Sequence, residues 1–448
     1  MADQKELKCP NCGGAIQFDS HMQKVICPYC DTEFDPDAFR QAERDYARTD
    51  YEDEKQWEGM RGADWQSAAD GRLRIFVCKS CGGELVPDET TTAASCPYCG
   101  NPVVLSKNAE GLLEPEYILP FQLDKDTAIE KLHEHLKGKK LLPKTFKDQQ
   151  HIEEIKGIYV PFWLYDTTAD AKVNYKATRV RTWQDRNFIY TETKFYNVFR
   201  AGTMRFEKVP ADASQRMPDD LMDSIEPFDW NALTGFEMGY LAGFFADRYD
   251  VTASEDADRV NRRIRQSTED AIKRTVQGYA TVTQEGSQVT MRGETASYAL
   301  LPVWMLTTSW QDENYIFAMN GQTGKFVGDL PIDKGKTARQ FILTFVIAAV
   351  IAMIVLLVLT GSSAGLIAGV IIGFLIALIR ILVMRKKLKS VQEAEVADSY
   401  VEGGGVHLTE HRDTFLYHTV TKVPKPKDNG GGHGGPPGGH GGPPPGRH

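Results

Sequence analysis

Residues 9–30 read CPNCGGAIQFDSHMQKVICPYC, and residues 78–99 read CKSCGGELVPDETTTAASCPYC. Both follow C-x2-C-x14-C-x2-C, and each cysteine of the second set lies 69 residues after its counterpart, Cys78 against Cys9. The flanks repeat too: Cys12-Gly13-Gly14 matches Cys81-Gly82-Gly83, and Cys27-Pro28-Tyr29-Cys30 matches Cys96-Pro97-Tyr98-Cys99. This duplication uses all 8 cysteines of the chain. A C-x-x-C turn aims two thiolates at one ion, and two such knuckles close a tetrahedral S4 shell that suits Zn2+. Cys9, Cys12, Cys27 and Cys30 are therefore expected to hold one structural zinc, and Cys78, Cys81, Cys96 and Cys99 a second. The glycines free the backbone to bring its N–H groups toward sulfur, and the spacers 15–26 and 84–95 suit short β-hairpins. With all four positions filled by protein, no site is left for a catalytic water. Disulfides or redox-active pairs are the alternative, but no βαβ pattern follows either pair, as a thioredoxin-like site requires.

Outward from the cysteines, the chain has 448 residues, a prior of about three folded units. Apolar residues make up 42% and charged residues 25%, enough to bury a core over most of the length. The net charge is −9, and residues 1–107 alone carry 12 Lys/Arg against 19 Asp/Glu. No basic stripe with interleaved aromatics accompanies the ribbons, so protein docking or a structural role is favoured over nucleic acid. The first residues have no apolar h-region, so no cleavable signal peptide is expected. Residues 35–71 are charged and Ala/Gln-rich and read as a linker, with a short helix over 38–48.

The second decisive stretch is 341–360, FILTFVIAAVIAMIVLLVLT, without a charge. At about 1.5 Å per residue it spans the hydrocarbon thickness. After Gly361-Ser362-Ser363, residues 364–384 form another apolar run, broken only by Arg380 near its end. So short a turn predicts an antiparallel transmembrane hairpin, with Gly365, Gly369 and Gly373 allowing close helix approach. Lys334, Lys336 and Arg339 precede it, and Arg385, Lys386, Lys387 and Lys389 follow it. Both positive flanks place both termini in the cytoplasm of a multi-pass cell-membrane protein. Reduced, zinc-holding cysteines agree with that compartment.

Residues 112–335 read as a central α+β domain. Thr127 and Glu130 form a capping box for a helix to about residue 136. The aromatic stretch 158–168 and the stretch 187–207 read as strands, 230–249 and 255–277 as helices. Strands are then expected at 279–283, 288–293, 298–308 and 315–320, with a turn at Asn320-Gly321. Pro120, Pro161 and Pro302, each beside aromatics, suggest edge strands or strand starts. No catalytic constellation is found. Gly321-Gln-Thr-Gly324-Lys325 is too short for a phosphate loop and ends in Phe326, which excludes a P-loop motor on this chain. No G-x-S-x-G elbow occurs. His133 and His135 face apart on their helix, and His151 is isolated. Arg179, Arg181 and Arg186, and Arg262, Arg263 and Arg265, read as solvated surface or as lipid contacts. Residues 388–398 are expected to continue as helix until Gly403-Gly404-Gly405, and 413–423 to be a short β-like peptide. The Gly/Pro/His-rich segment 424–448 is expected to be disordered.

The fold class is thus a multidomain α+β chain. Its parts are ribbon 1 (1–34), linker (35–71), ribbon 2 (72–107), central domain (112–335), transmembrane hairpin (341–384), cytoplasmic juxtamembrane segment (385–423) and tail (424–448). Together the ribbons, Tyr159-Val-Pro-Phe-Trp, Tyr240-Leu-Ala-Gly-Phe244, the hairpin and Asp413-Thr-Phe-Leu-Tyr417 resemble the bacterial membrane-anchored double zinc-ribbon proteins. Those are often labelled TFIIB-type zinc ribbon, primosomal protein N′ or replication-restart-helicase-like. The resemblance implies a membrane anchor that recruits SPFH-domain and phage-shock-protein-A-like partners in envelope stress, and the missing catalytic motifs make a non-enzymatic scaffold the leading expectation. The alternative is a membrane-tethered zinc-ribbon nucleic-acid binder, and a third reading places a ligand pocket at Trp163 and Trp304.

Overall fold

The computed structural model describes residues 9, 11–49, 60–61, 74–86, 96–99, 101, 103–108, 113–143, 146, 155–311, 313–360 and 364–425. The tail beyond 425, most of the linker after residue 49, His151 and the turn 361–363 lie outside the described residues. The chain is mixed α+β. In order it forms β1 (Gln17–Asp19), β2 (Lys24–Ile26), β3 (Glu33–Phe34), α1 (Pro36–Ala47), β4 (Met60–Arg61), β5 (Arg74–Cys78), β6 (Glu84–Val86), β7 (Val103–Asn108) and β8 (Tyr117–Ile118). There follow α2 (Lys125–Leu136), β9 (Lys156–Gln184), β10 (Phe188–Asp212), α3 (Asp219–Ile225), β11 (Thr234–Gly235), β12 (Phe245–Asp247) and α4 (Ala253–Arg274). The last elements are β13 (Thr281–Trp310), β14 (Glu313–Asn320), β15 (Phe326–Val327), α5 (Lys334–Thr360), α6 (Ala364–Lys386) and β16 (Val401–Pro424).

β1, β2 and β3 make a small antiparallel sheet. Everything else joins one sheet of 13 strands, whose spine is the antiparallel order β16-β10-β9-β13. The stretches expected at 279–283, 288–293 and 298–308 are one 30-residue strand, β13, bulged at Gln284/Gly286 and Arg292/Thr295. Bulges bend a strand without ending it, so each reads in sequence as a boundary. β9 alternates along its length. Ile158, Val160, Phe162 and Leu164 face one core with α3; Tyr159, Trp163, Tyr165, Ala169, Ala171, Val173, Tyr175 and Ala177 face the other, under α4. The α4 face is Ala257, Val260, Ile264, Ala271 and Ile272, spaced at helical period, and the β9 alanines let the helix lie close.

Pro161 and Pro302 are not on edge strands. Each sits where a central strand changes neighbour: β9 passes from β12 to β10, and β13 from β8 to β14. Their carbonyls accept from Ala213 N at 2.9 Å and Gly321 N at 2.8 Å on that side. The missing N–H thus falls in a gap where no ladder partner is lost. The 230–249 segment is not a helix but two 3-10 turns with β11 and β12 between and after them. α2 is capped by Asp124, which accepts from Thr127 N at 2.8 Å, rather than by Thr127.

α5 and α6 pack antiparallel. A Cβ on Gly369 would meet the Met353 backbone, and one on Gly373 the Ala349 backbone, so these glycines set the close approach. Both helices are long and apolar enough to cross a membrane, and Val358 is 79% exposed. Both ends of the pair are tied to the body: Leu330 N donates to Leu388 O at 2.9 Å, and Lys336 Nζ to Leu142 O at 2.6 Å.

After α6 the chain does not continue as helix. Residues 387–397 run as an irregular strap across α3 and α4. Its amides are taken by side chains: Gln392 N by Ser224 Oγ at 2.7 Å, Ala394 N by Asp223 Oδ2 at 3.1 Å and Ala397 N by Ser267 Oγ at 2.7 Å. β16 then begins before the glycine triad instead of after it. Arg205 pairs Glu402 while Thr203 pairs His407, so Gly403-Gly404-Gly405, all at positive φ, form a wide bulge inside the strand.

Candidate metal centres

The eight predicted cysteines come together as two groups of four. Within the first, Cys9 and Cys30 Sγ lie 3.6 Å apart and Cys12 and Cys27 3.5 Å apart. Within the second, Cys78–Cys99 is 3.5 Å and Cys81–Cys96 3.6 Å. All four sulfurs of each group lie within 4.8 Å of one another. A metal–sulfur length of about 2.3 Å gives a regular tetrahedron an edge of about 3.8 Å, so both groups fit one ion. A disulfide needs about 2.05 Å, so these are not disulfides. Both groups share one burial pattern, with the first and third cysteines buried and the second exposed.

The knuckles are built alike. Gly13 and Gly82 take φ +75 and +74, which lets Cys9 N reach Gly14 O at 2.7 Å and Cys78 N reach Gly83 O at 2.8 Å. Backbone N–H groups of Asn11 and Cys12 point at the Cys9 sulfur, and those of Ser80 and Cys81 at Cys78. Thr32 Oγ1 lies 3.1 Å from Cys30 Sγ, and hydrogen bonding from Thr32 pulls that thiol down to about 6. Asn11 Nδ2 in turn donates to Thr32 Oγ1 at 3.1 Å, and Asn101 Nδ2 reaches Cys99 Sγ at 3.5 Å. Such donors favour the thiolate a metal needs. Sequence reading missed Thr32, Asn11 and Asn101, although Thr32 and Asn101 occupy the same offset, two residues after the last cysteine.

The two centres sit in different surroundings. Centre 2 is welded into the body. Its β6 pairs β12, with Val86 opposite Ala246. Arg216 Nη2 donates to Gly82 O at 3.1 Å, Thr307 Oγ1 to Pro97 O at 3.0 Å and Arg248 Nη1 to Glu84 Oε2 at 3.1 Å. Tyr98 is buried, 7% exposed, against the Asp247 carboxyl, which burial pushes up to about 6. Among the described residues, centre 1 meets the body through its Phe34 side. Phe34 packs edge-on against Tyr417 of β16 at 5.2 Å, and Tyr417 stacks on Phe195 at 4.5 Å. α1, expected within the linker, is pinned beside it: Arg48 holds Glu410 through two bonds of 3.0 and 2.9 Å, and Arg412 reaches the buried Asp45 at 2.6 Å. The outer side of centre 1 presents Phe18, Met22 and Tyr29, the last 74% exposed.

A curated protein of Bacillus subtilis (strain 168), described as "Uncharacterized protein YdjG", is 33% identical over 334 residues, covering 75% of this chain and 92% of that one. This chain belongs to the YdjG family. No family model matches it, and no solved structure matches it. Membership thus adds a relative, and the chemistry of this YdjG-family chain rests on its own residues.

The remaining candidates fall apart in space. Trp163 and Trp304 lie in different cores, their indoles donating to Val251 O at 2.9 Å and Leu123 O at 3.0 Å. His133 is exposed, while His135 lies 2.7 Å from Lys139 Nζ. Of the α4 arginines, Arg262 and Arg265 are exposed, but Arg263 is buried and grips Glu226 at 2.6 Å. Arg179 stacks on Tyr196 and Tyr279 at 4.9 and 4.7 Å while remaining exposed, so it is a surface side chain resting on two rings.

Proposed function

We propose that this protein is a non-enzymatic membrane anchor with two structural zinc ions, recruiting partner proteins to the cytoplasmic face of the cell membrane. Soft S4 donor sets with tetrahedral spacing support zinc. The apolar α5–α6 pair supplies the anchor. The observation that carries recruitment is the unequal treatment of the duplicated knuckle. Centre 2 spends its aromatic face on the core, whereas centre 1 leaves Phe18, Met22 and Tyr29 in solvent, within reach of a partner. The resemblance described above names SPFH-domain and phage-shock-protein-A-like proteins, and envelope stress, as partner class and setting.

The test is a crosslinking pull-down of the full chain from native membranes, with metal quantified in the same sample. We expect about two zinc ions per chain and co-purification of SPFH or phage-shock-type proteins. Tyr29→Ala combined with Phe18→Ala should abolish capture while leaving metal content and membrane fractionation unchanged. Capture that survives this double substitution sinks the docking role of centre 1.

A tethered nucleic-acid binder is the second reading. What favours it is the tip of the β9–β10 ribbon rather than the zinc centres. There Trp183 stacks on Tyr190 at 5.6 Å, Lys422 Nζ sits 3.8 Å over Phe188, and Arg181 lies 5.9 Å from Trp183. It requires salt-dependent binding of single-stranded DNA or RNA that Trp183→Ala removes.

A further inference from the structure

Two separate cavities lie along one stripe of α6. The first, about 430 Å3, is an apolar groove between the hairpin helices, lined by Ala348, Ala352, Val355, Ile372 and Ile376, with Arg380 at one end. The second, about 310 Å3, lies at the foot of the hairpin and is lined by Lys137, Lys139, Lys140, Met384 and Lys387. Ile372, Ile376, Arg380, Met384 and Lys387 recur every three or four residues, so they share one helix face. Lys387 keeps the helical bond to Val383 O at 3.3 Å, which carries that face past the last turn. Along this face an apolar groove, a guanidinium and a pocket of ammonium groups thus follow one another.

The charges on this stripe are uncompensated. No carboxylate lines either cavity. Among the described residues, Arg380, Lys137, Lys139, Lys140 and Lys387 make no ion pair. Asp329 acts on Lys139 but is occupied by the Ser390 and Val391 amides at 3.0 and 3.1 Å. Burial depresses Lys139 to about 8, which marks an ammonium that has lost water without gaining a full counterion. Arg380 stands six residues before the end of α6, roughly 9 Å inside it, within reach of the phosphate level for a long side chain that snorkels toward the interface. A guanidinium there binds a phosphodiester through paired donors.

We propose that this stripe binds one anionic phospholipid. An acyl chain lies in the groove, the phosphate sits at Arg380, and the 137–140 loop with Lys387 covers the headgroup. The occupant must carry net negative charge, because a choline headgroup would place a cation among the lysines. It must also carry an acyl chain, because phosphate alone leaves the groove empty. The inference rests on the hairpin lying in a bilayer, which membrane fractionation checks separately.

The test uses full-length protein in maltoside micelles, titrated with phosphatidylglycerol labelled on one acyl chain. We expect saturable binding of one lipid per chain. Unlabelled phosphatidylglycerol should displace it, whereas phosphatidylcholine and soluble glycerol phosphate should not. Arg380→Gln, and Lys139→Gln with Lys140→Gln, should weaken binding about fivefold per charge removed. Arg339→Gln removes an exposed charge that lines neither cavity and should have no effect. Variants are compared only if they keep two metal ions and the wild-type elution volume; if Arg380→Gln fails this, Arg380→Lys, losing bidentate geometry alone, takes its place. Equal competition by phosphatidylcholine overturns the assignment, as does equal loss on Arg339→Gln. Displacement by glycerol phosphate alone would make the pocket a free-anion site and overturns the lipid reading.

Discussion

Tyr29 and Tyr98 hold the same place in the duplicated knuckle, yet one is 74% exposed and the other 7%. Each ring covers the second glycine of its own knuckle, Gly14 or Gly83. Only Tyr98 is also covered from the other side, by the central sheet and Asp247. The two rings thus share a local role and differ in a long-range one. Tyr98→Ala should destabilise the protein by about 3–5 kcal/mol, as a buried aromatic truncated in a packed core does. Tyr29→Ala should cost no more than about 0.5 kcal/mol, as surface changes do. Denaturant unfolding of the full chain in micelles, followed by tryptophan fluorescence, measures both. Equal losses would mean that Tyr29 is covered in solution. The sequence shows both knuckles because cysteine spacing is local chemistry. It hides their divergence because Ala246, Thr307 and Asp247, which decide it, are brought in by the sheet from up to more than 200 residues away.

At the scale of elements, the junction of α3, α4 and the strap is held by ions rather than by apolar packing alone. Asp212, Asp223, Glu226 and Asp256 are buried carboxylates, and they face the two guanidiniums of Arg259 and Arg263. Asp212 Oδ2 and Asp256 Oδ2 find no hydrogen-bond partner. Burial pushes both Asp212 and Glu226 up to about 7, against the pull of Arg259 and Arg263. Raised carboxyl groups bind protons in the folded state that the unfolded chain has already released. Their contribution to stability is therefore full below about pH 4, the unfolded value, and is lost as pH rises toward 7. Asp212→Asn keeps an oxygen for Arg259 and removes one excess charge. It should flatten the fall in melting temperature between about pH 4 and 7, the window set by these shifts. A profile as steep as wild type would place the titration elsewhere. α4 itself is legible in sequence, because its apolar period is local. Its Arg263 is not, since the partner, Glu226, belongs to the end of another helix. The strap was misread for the same reason: Ser224, Asp223 and Ser267 take amides that a helix would have used. Gly286 and Gly293 read as strand ends within β13, and the 403–405 triad as the end of a helix, because glycine marks a bulge as readily as an end.

At the scale of the molecule, the hairpin interrupts a single fold rather than trailing from it. β13, β14 and β15 precede α5, β16 follows α6, and all four belong to the same sheet. β16 pairs β10 from Phe188↔Pro424 to Phe206↔Val401, so it cannot be separated from the body by a bilayer. A hairpin that crosses the bilayer twice must therefore return the chain to the side from which it left. That argument is independent of the Lys/Arg count at the flanks: both put the two flanks on one side, and the count alone names the cytoplasm as that side. It follows that residues 361–363 alone should reach the far side. Ser362→Cys should react with a membrane-impermeant maleimide added to intact cells, whereas Lys389→Cys should react only after permeabilisation. The native cysteines lie in the body and should stay silent until then. Labelling of Lys389→Cys in intact cells would invert the topology. If Ser362→Cys also needs permeabilisation, the helices do not span, and the sheet would be held to the membrane by a hairpin lying within one leaflet.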